Sequence, residues 1–306
     1  MQWRENGGLA LNINQLKYFV AVAEQRSFTK AATQYYLSQT AVTQQVRALE
    51  ETLGVRLLDR NSRPVSLTPA GKVFLKEAKA ILVRMETAVS KAKDASTGLV
   101  GSLRIGYTKG YERSTLSNRL RTFHRRHPNI LLTCYRRDTD ELAAGLLNQE
   151  YDIIFTWDST DICQDSQVEW RLVEKARLVV AMYRGHPFAQ RTALRREELK
   201  NEAILYMTPS ATGSSFGDAH FMGLYQRAGY QPNILLRSND VESILMMVAA
   251  EEGITILPDY CTDKLTGADD LVFCPLLGEE ETEDILAVWR REDQSPALRH
   301  FTEEAL

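Results

Sequence analysis

Thr40, Thr43, Gln44 and Arg47 recur at i, i+3, i+4 and i+7, with Gln39 just ahead of them. That spacing gathers them on one face of a helix, with no acidic group in the set. Amides and hydroxyls bond base edges in a DNA major groove, and a guanidinium reaches guanine or phosphate. The chemistry on offer is recognition and not bond-making. The opposite face carries Val42, Val46, Leu49 and Leu53 at i, i+4, i+7 and i+11, a stripe made for a core. A solvated surface helix would share this periodicity, so the flanking segments have to decide.

They supply the frame of a DNA reader. Asn14–Gln25 reads as a first helix that buries Leu16, Phe19, Val20 and Ala23. Ser27 stands where an N-cap hydroxyl belongs, and the small Ala31 and Ala32 let a second helix cross closely. A break at Leu37-Ser38 opens the recognition helix and Gly54 closes it. Arg56, Arg60 and Arg63 then crowd a short β-prone stretch before Pro64, a basic wing for phosphates or a minor groove. The candidate DNA contacts are Ser27, Thr29, Lys30, Ser38, Gln39, Thr40, Thr43, Gln44, Arg47, Arg60 and Arg63.

From Leu16 to Gly71 the chain resembles the N-terminal domain of LysR-type transcriptional regulators. The likeness rests on Ser-Phe-x-x-Ala-Ala at 27–32, Ser-Gln at 38–39, Leu-Glu-x-x-Leu-Gly-Val-x-Leu at 49–57 and Leu-Thr-Pro-Ala-Gly at 67–71. It implies that Gln39, Thr40, Thr43 and Gln44 read bases and that Arg63 meets the minor groove. Thr40 stands where Pro or Ser is frequent in the family, and Gln44 where Arg is frequent. Base preferences therefore do not carry over from other members.

Thr68-Pro69 is a helix start, with a hydroxyl cap and a proline at the first helical position. Phe74, Ala78, Ile81, Met85, Ala88, Ala92 and Ala95 follow at alternating spacings of 4 and 3, the seam of a coiled-coil dimer. Leu75, Leu82 and Val89 make a second row that packs on the DNA-binding domain. Two recognition helices held in this way match an interrupted palindrome. The resemblance adds that such a linker helix dimerises and that tetramers are common. Gly98 and Gly101 mark a hinge.

Beyond it, strands at Ser102–Thr108, Asn129–Arg136 and Tyr151–Thr156 alternate with helices at Glu112–Arg126 and Glu141–Asn148. This βαβαβ order predicts a parallel sheet. A second unit holds strands in Trp170–Tyr183, Ala203–Met207, Asn233–Arg237 and Gly253–Leu257, with helices at His220–Ala228 and Val241–Glu251. Leu271–Pro275 and Asp284–Arg290 are expected to return to the first lobe, with crossings near 158–168 and 260–270. The whole is similar to the family's two-lobed, periplasmic-binding-protein-like effector domain. Gly-His-Pro-Phe-Ala at 185–189 and the Val-Ala-Ala…Gly-Ile-Thr-Ile-Leu-Pro stretch at 248–258 carry that likeness. Glu251 replaces a frequent Gly there. Ligands collect beyond the carboxyl ends of such strands. That nominates Thr108, Lys109, Tyr135, Arg136, Trp157, Thr208, Ser210 and Asn239 for a small effector, and the cations suit an organic anion.

The expected fold is an N-terminal winged helix-turn-helix, all-α with a small β wing, then a long linker helix and a two-lobed α/β effector domain. Residues 1–11 read as a flexible extension, 12–69 as the DNA-binding domain and 70–98 as the dimerisation helix. Residues 101–306 read as the effector domain, with lobe I at about 101–160 and 270–306 and lobe II at about 166–262. Charge divides in the same place. The net charge is −3, yet residues 1–100 hold 14 Lys and Arg against 8 Asp and Glu, and the remainder 23 against 32. A basic module joined to an acidic one suits a DNA reader with a separate sensor.

Other classes find less support. No apolar run reaches a membrane span and no leader opens the chain, so the cytoplasm is the expected location. Cys134, Cys163, Cys261 and Cys274 form no CxxC and read as reduced core thiols. The histidines, His124, His127, His186, His220 and His300, show no HExxH and no spacing for a shared metal. Ser214 and Ser215 lie in ATGSSFGD, which fits neither a nucleophile elbow nor a phosphate loop. No catalytic set, metal or cofactor is expected. The competing reading, a solute-binding protein with no DNA role, is opposed by the helix-turn-helix in front.

Overall fold

Asn12 starts the first helix: its side chain accepts from the Asn14 amide at 2.9 Å, and Gln15 returns a bond to the Asn12 amide at 3.2 Å. In this computed structural model the described residues are 11–60, 62, 64–96, 101–157, 161–208, 216–262, 270–293 and 295–306. Residues 1–10 of the expected extension, the hinge glycine Gly98, Arg63 and Ser210 lie outside them. The chain forms two compact units, Met1–Ser90 and Lys91–Leu306.

In the first unit α1 (Ile13–Gln25), α2 (Phe28–Gln34) and α3 (Gln39–Leu53) are followed by a hairpin of β1 (Leu58–Asp59) and β2 (Ser66–Leu67). Gly54 caps α3 in the left-handed conformation at φ 68°. Phe19, Val22, Ala31, Val42, Val46, Leu49 and Leu57 are fully buried in one core. The long helix α4 (Pro69–Ser96) begins with the Gly71 amide bonded to the Thr68 hydroxyl at 2.9 Å.

The expected heptad seam is divided. Phe74 and Ala78 join Leu75 and Leu82 against the core of this same unit, and the Phe74 ring lies 5.6 Å from that of Phe19. Ile81 and Val89 stay exposed, at 45% and 49%. A 4-3 spacing says that a stripe is covered and not what covers it. Here the first turns of α4 spend Phe74, Leu75, Ala78 and Leu82 inside the chain and leave Val73 exposed.

The second unit is built on a mixed sheet, where a parallel one was expected. In lobe I, β3 (Gly101–Thr108) pairs in parallel with β4 (Ile130–Arg137) and β5 (Ile153–Trp157). β11 (Thr282–Arg290) is antiparallel to β5 and to the first part of β6 (Val168–Tyr183). Helices α5 (Leu116–Arg126) and α9 (Pro296–Glu304) contribute Phe123 and Phe301 to the core on one sheet face. α6 (Thr139–Leu147) contributes Leu142 and Leu146 to a second core. Lobe II holds the parallel pair β7 (Ala203–Met207) and β8 (Asn233–Ser238), with α7 (Phe216–Arg227), α8 (Val241–Ala249), β9 (Thr255–Pro258) and β10 (Leu271–Pro275).

The chain changes lobes later than its sequence suggests. β6 pairs with β11 through Arg177 and with β9 and β10 from Leu178 onward. β10 therefore lies with lobe II and not with lobe I. Periodicity identifies a strand but carries no information about a partner roughly a hundred residues away. Of the four free cysteines, Cys261 and Cys274 are buried, whereas Cys134 is exposed and Cys163 half-buried, so two of the four are not core thiols. Glu251 holds φ 65°, the left-handed turn a Gly would take freely.

Gly71 carries a sharper constraint. A Cβ at this position would fall 1.9 Å from the Leu57 carbonyl oxygen, which already accepts from the Thr68 amide. Gly71→Ala is expected to cost the N-terminal unit about 3 kcal/mol. An unchanged thermal midpoint for that unit would refute the close approach.

Candidate DNA and effector sites

Two serine hydroxyls cap the second and third helices of the helix-turn-helix. Ser27 Oγ accepts from the Lys30 amide at 3.3 Å and Ser38 Oγ from the Ala41 amide at 3.1 Å. Both candidate contacts are thus N-caps of α2 and α3. With Val42, Val46 and Leu49 buried, α3 turns Gln39, Thr40, Gln44 and Arg47 into solvent and leaves Thr43 half-buried. Thr29 and Lys30 are exposed, and the Thr29 hydroxyl bonds the Gln39 side chain at 3.5 Å. Tyr36, which sequence reasoning passed over, stands 97% exposed at φ 55° in the turn before α3.

Arg60 departs from its expected place on an open wing. Its Nη2 meets Glu50 Oε2 at 2.7 Å, and its guanidinium lies 5.4 Å above the Phe28 ring. Glu50 Oε1 also accepts from the amides of Leu57 and Leu58, at 2.8 and 3.1 Å. One carboxylate therefore joins the end of α3 to the start of the wing. Of the remaining wing arginines, Arg56 is exposed.

In the effector unit three candidates converge. Lys109, Arg136 and Asn239 line a cavity of about 90 Å³ with Gly110, Arg113 and Glu112 at the junction of the lobes. Each cation has a carboxylate partner. Lys109 meets Asp138 at 2.9 Å, Arg136 meets Glu112 at 3.2 Å, and Arg113 pairs with Glu242. Asn239 Nδ2, from lobe II, donates to both Asp138 oxygens, from lobe I, at 3.0 and 3.3 Å. Thr108 is buried beside Lys109.

The other candidates go elsewhere. The Tyr135 ring packs on Tyr151, away from its neighbour Arg136, because successive residues of a strand face opposite ways. Trp157 is buried between the lobes, and its Nε1 donates to the Tyr260 hydroxyl at 2.8 Å. Burial raises the Tyr260 hydroxyl well above its ordinary pKa, so it stays a neutral partner. Thr208 is buried, with its hydroxyl on Asp218 at 2.7 Å.

A winged helix-turn-helix whose polar face is open, carried in one chain with a two-lobed small-molecule domain, defines a ligand-responsive DNA-binding regulator. Residues 13–72 match the bacterial regulatory helix-turn-helix protein, lysR family, and residues 96–306 match the LysR substrate binding domain. The chain is 30% identical over 294 residues to the uncharacterized HTH-type transcriptional regulator YnfL of Escherichia coli, covering 95% of this chain and 96% of that one. It is 29% identical to the HTH-type transcriptional regulator BenM of Acinetobacter baylyi, covering 93% and 92%. The crystal structure of CbnR, a LysR family regulator, matches at a TM-score of 0.77 with 27% identity, over 96% of this chain and 98% of that one. CbnR complexed with its target DNA matches at 0.74 with 28% identity, over the same shares. The chain belongs to the LysR family of bacterial transcriptional regulators. It is a DNA-binding regulator with an effector domain and not an enzyme.

Removal of the Glu50 carboxylate leaves two amides and a guanidinium short of an acceptor. Glu50→Ala is expected to cost the N-terminal unit about 3 kcal/mol. A melting transition for this unit within a degree of wild type would show the carboxylate to be dispensable.

Proposed function

We propose that two copies, joined through the exposed apolar positions of α4 such as Ile81, present their α3 helices to the half-sites of an interrupted palindrome. Gln39, Thr40, Thr43 and Gln44 read base edges, Arg47 and Lys30 hold phosphates, and Arg63 reaches the minor groove. Ser27 and Ser38 act as caps and Arg60 as a brace. The observation that carries this reading is the open face of α3, where amide, hydroxyl and guanidinium groups stand in solvent over a fully buried apolar stripe. Paired dimers make the tetramer. A regulator of this kind works on the chromosome, in the cytoplasm; no helix among the described residues is long and apolar enough to cross a membrane.

Electrophoretic mobility shift with the upstream region of its own gene tests the DNA reading. Affinity should fall steeply with salt, and Arg47→Ala should reduce the slope by about one counterion. Gln44→Ala should weaken specific binding by about tenfold or more and leave nonspecific binding unchanged. A flat salt dependence would defeat the assignment.

The effector in this reading is a small organic anion that takes Lys109 and Arg136 from Asp138 and Glu112. Such an exchange disturbs the Asn239–Asp138 bond between the lobes and shifts the population of lobe orientations. In a thermal-shift screen of small carboxylates, wild type should gain several degrees with a hit and Arg136→Ala should gain none. A hit that stabilises both proteins equally would place the ligand elsewhere.

A further inference from the structure

His127 and His300 lie far apart in the chain, and the fold sets their rings 4.9 Å apart. His127 is the C-cap of α5, and His300 and Glu304 lie one turn apart on α9. Glu304 Oε1 is 3.0 Å from His127 Nε2 and 3.5 Å from His300 Nδ1. One donor atom from each of the three residues falls within 4.8 Å of the others.

We propose that His127, His300 and Glu304 bind a first-row divalent transition ion, with zinc as the best match. Zinc takes imidazole nitrogen and carboxylate oxygen at about 2.0–2.2 Å, so two ligand atoms of a tetrahedral site sit about 3.3 Å apart. The two distances to Glu304 bracket that edge. Two nitrogens and one oxygen suit zinc, nickel or copper, whereas magnesium and calcium want an all-oxygen shell. The i, i+4 spacing on α9 brings two ligands to one helix face, and α5 supplies the third.

The site has to displace what occupies it now. The two imidazoles are stacked, with planes 27° apart, and Arg126 Nη1 stands 3.6 Å from Glu304 Oε2. One ring has to turn out of the stack for both lone pairs to converge, and water completes the shell. The packing beneath is rigid enough to hold the ligands near each other. Phe123 meets Phe301 edge-on at 5.0 Å, and Arg119 donates to the Ala305 carbonyl at 2.9 Å. A bound ion would clamp α9, the last helix of lobe I, onto α5. Metal availability would then tune the stability of the lobe that carries Lys109 and Arg136.

The test is a zinc titration of the full chain by calorimetry, with thermal unfolding in zinc and in chelator. We expect one zinc per chain and a rise of several degrees in the midpoint of the effector unit. His300→Ala and Glu304→Ala should weaken zinc by at least the roughly tenfold that loss of an outer-shell partner costs. His124→Ala, an exposed histidine on α5 outside the cluster, should bind as wild type does. Cobalt in place of zinc should show no thiolate charge-transfer band. Matching midpoints of the variants in chelator would exclude misfolding as the cause. Absent uptake by wild type overturns the proposal, as does uptake that survives the His300→Ala/Glu304→Ala double variant. Either result would leave the cluster as an ion pair between two helices.

Discussion

A single strand belongs to both lobes of the effector unit, and the rest of that unit is arranged around it. β6 pairs with β11 along its first ten residues and with β9 and β10 along its last six. A backbone hydrogen-bonded on both sides of the crossover cannot bend freely, so the lobes share a spine in place of a loose linker. Any motion between them has to act on the side-chain contacts that cross the junction, which include a shared apolar core. Among the ties between described residues are Trp157 on Tyr260, Asn239 on Asp138 and Arg113 on Glu242. The first is buried and neutral, and the other two rest on carboxylates that already face cations. In the proposed reading an anion entering between Lys109 and Arg136 would compete with Asp138 and Glu112, and through Asp138 ligand chemistry would become lobe geometry.

The DNA-binding unit obeys a similar economy. In the proposed reading its open α3 face performs recognition, and Glu50 ties the end of that helix to the wing. One carboxylate accepts from Leu57, Leu58 and Arg60 and so locks helix end to wing. Bonds to a charged acceptor in a half-buried setting are stronger than neutral ones, and leaving their donors unpaired is costly. Arg60, which looks like a phosphate contact in sequence, is held by that carboxylate and by the Phe28 ring. The basic surface of the wing is smaller than its arginine count suggests.

Much of the fold was legible from local chemistry. Ser27, Ser38 and Thr68 announced three helix starts, and Gly54 one helix end, because capping is decided within four residues. The apolar stripe of α3 was likewise readable, since Val42, Val46 and Leu49 repeat at the helical period. The candidate effector residues were read less well. Lys109, Arg136 and Asn239 meet at one cavity, but Tyr135 packs on Tyr151 and Thr208 on Asp218. A rule about strand ends names a region; which side chain of a pair faces the cleft depends on a register set elsewhere in the sheet.

The sequence by itself determined the family, the helix-turn-helix and the order of the elements, because these rest on motifs, periodicity and capping between near neighbours. It could not determine partnership. Phe74 and Ala78 belong to a heptad pattern, yet they fill the core of their own unit. Leu271–Pro275 reads as a strand, yet only pairing with Val179–Tyr183 assigns it to lobe II. His300 and Glu304 are one helical turn apart, yet His127 joins them only where α9 folds back on α5. Each of these outcomes is a contact between distant residues, and such contacts are chosen by the packing of whole elements.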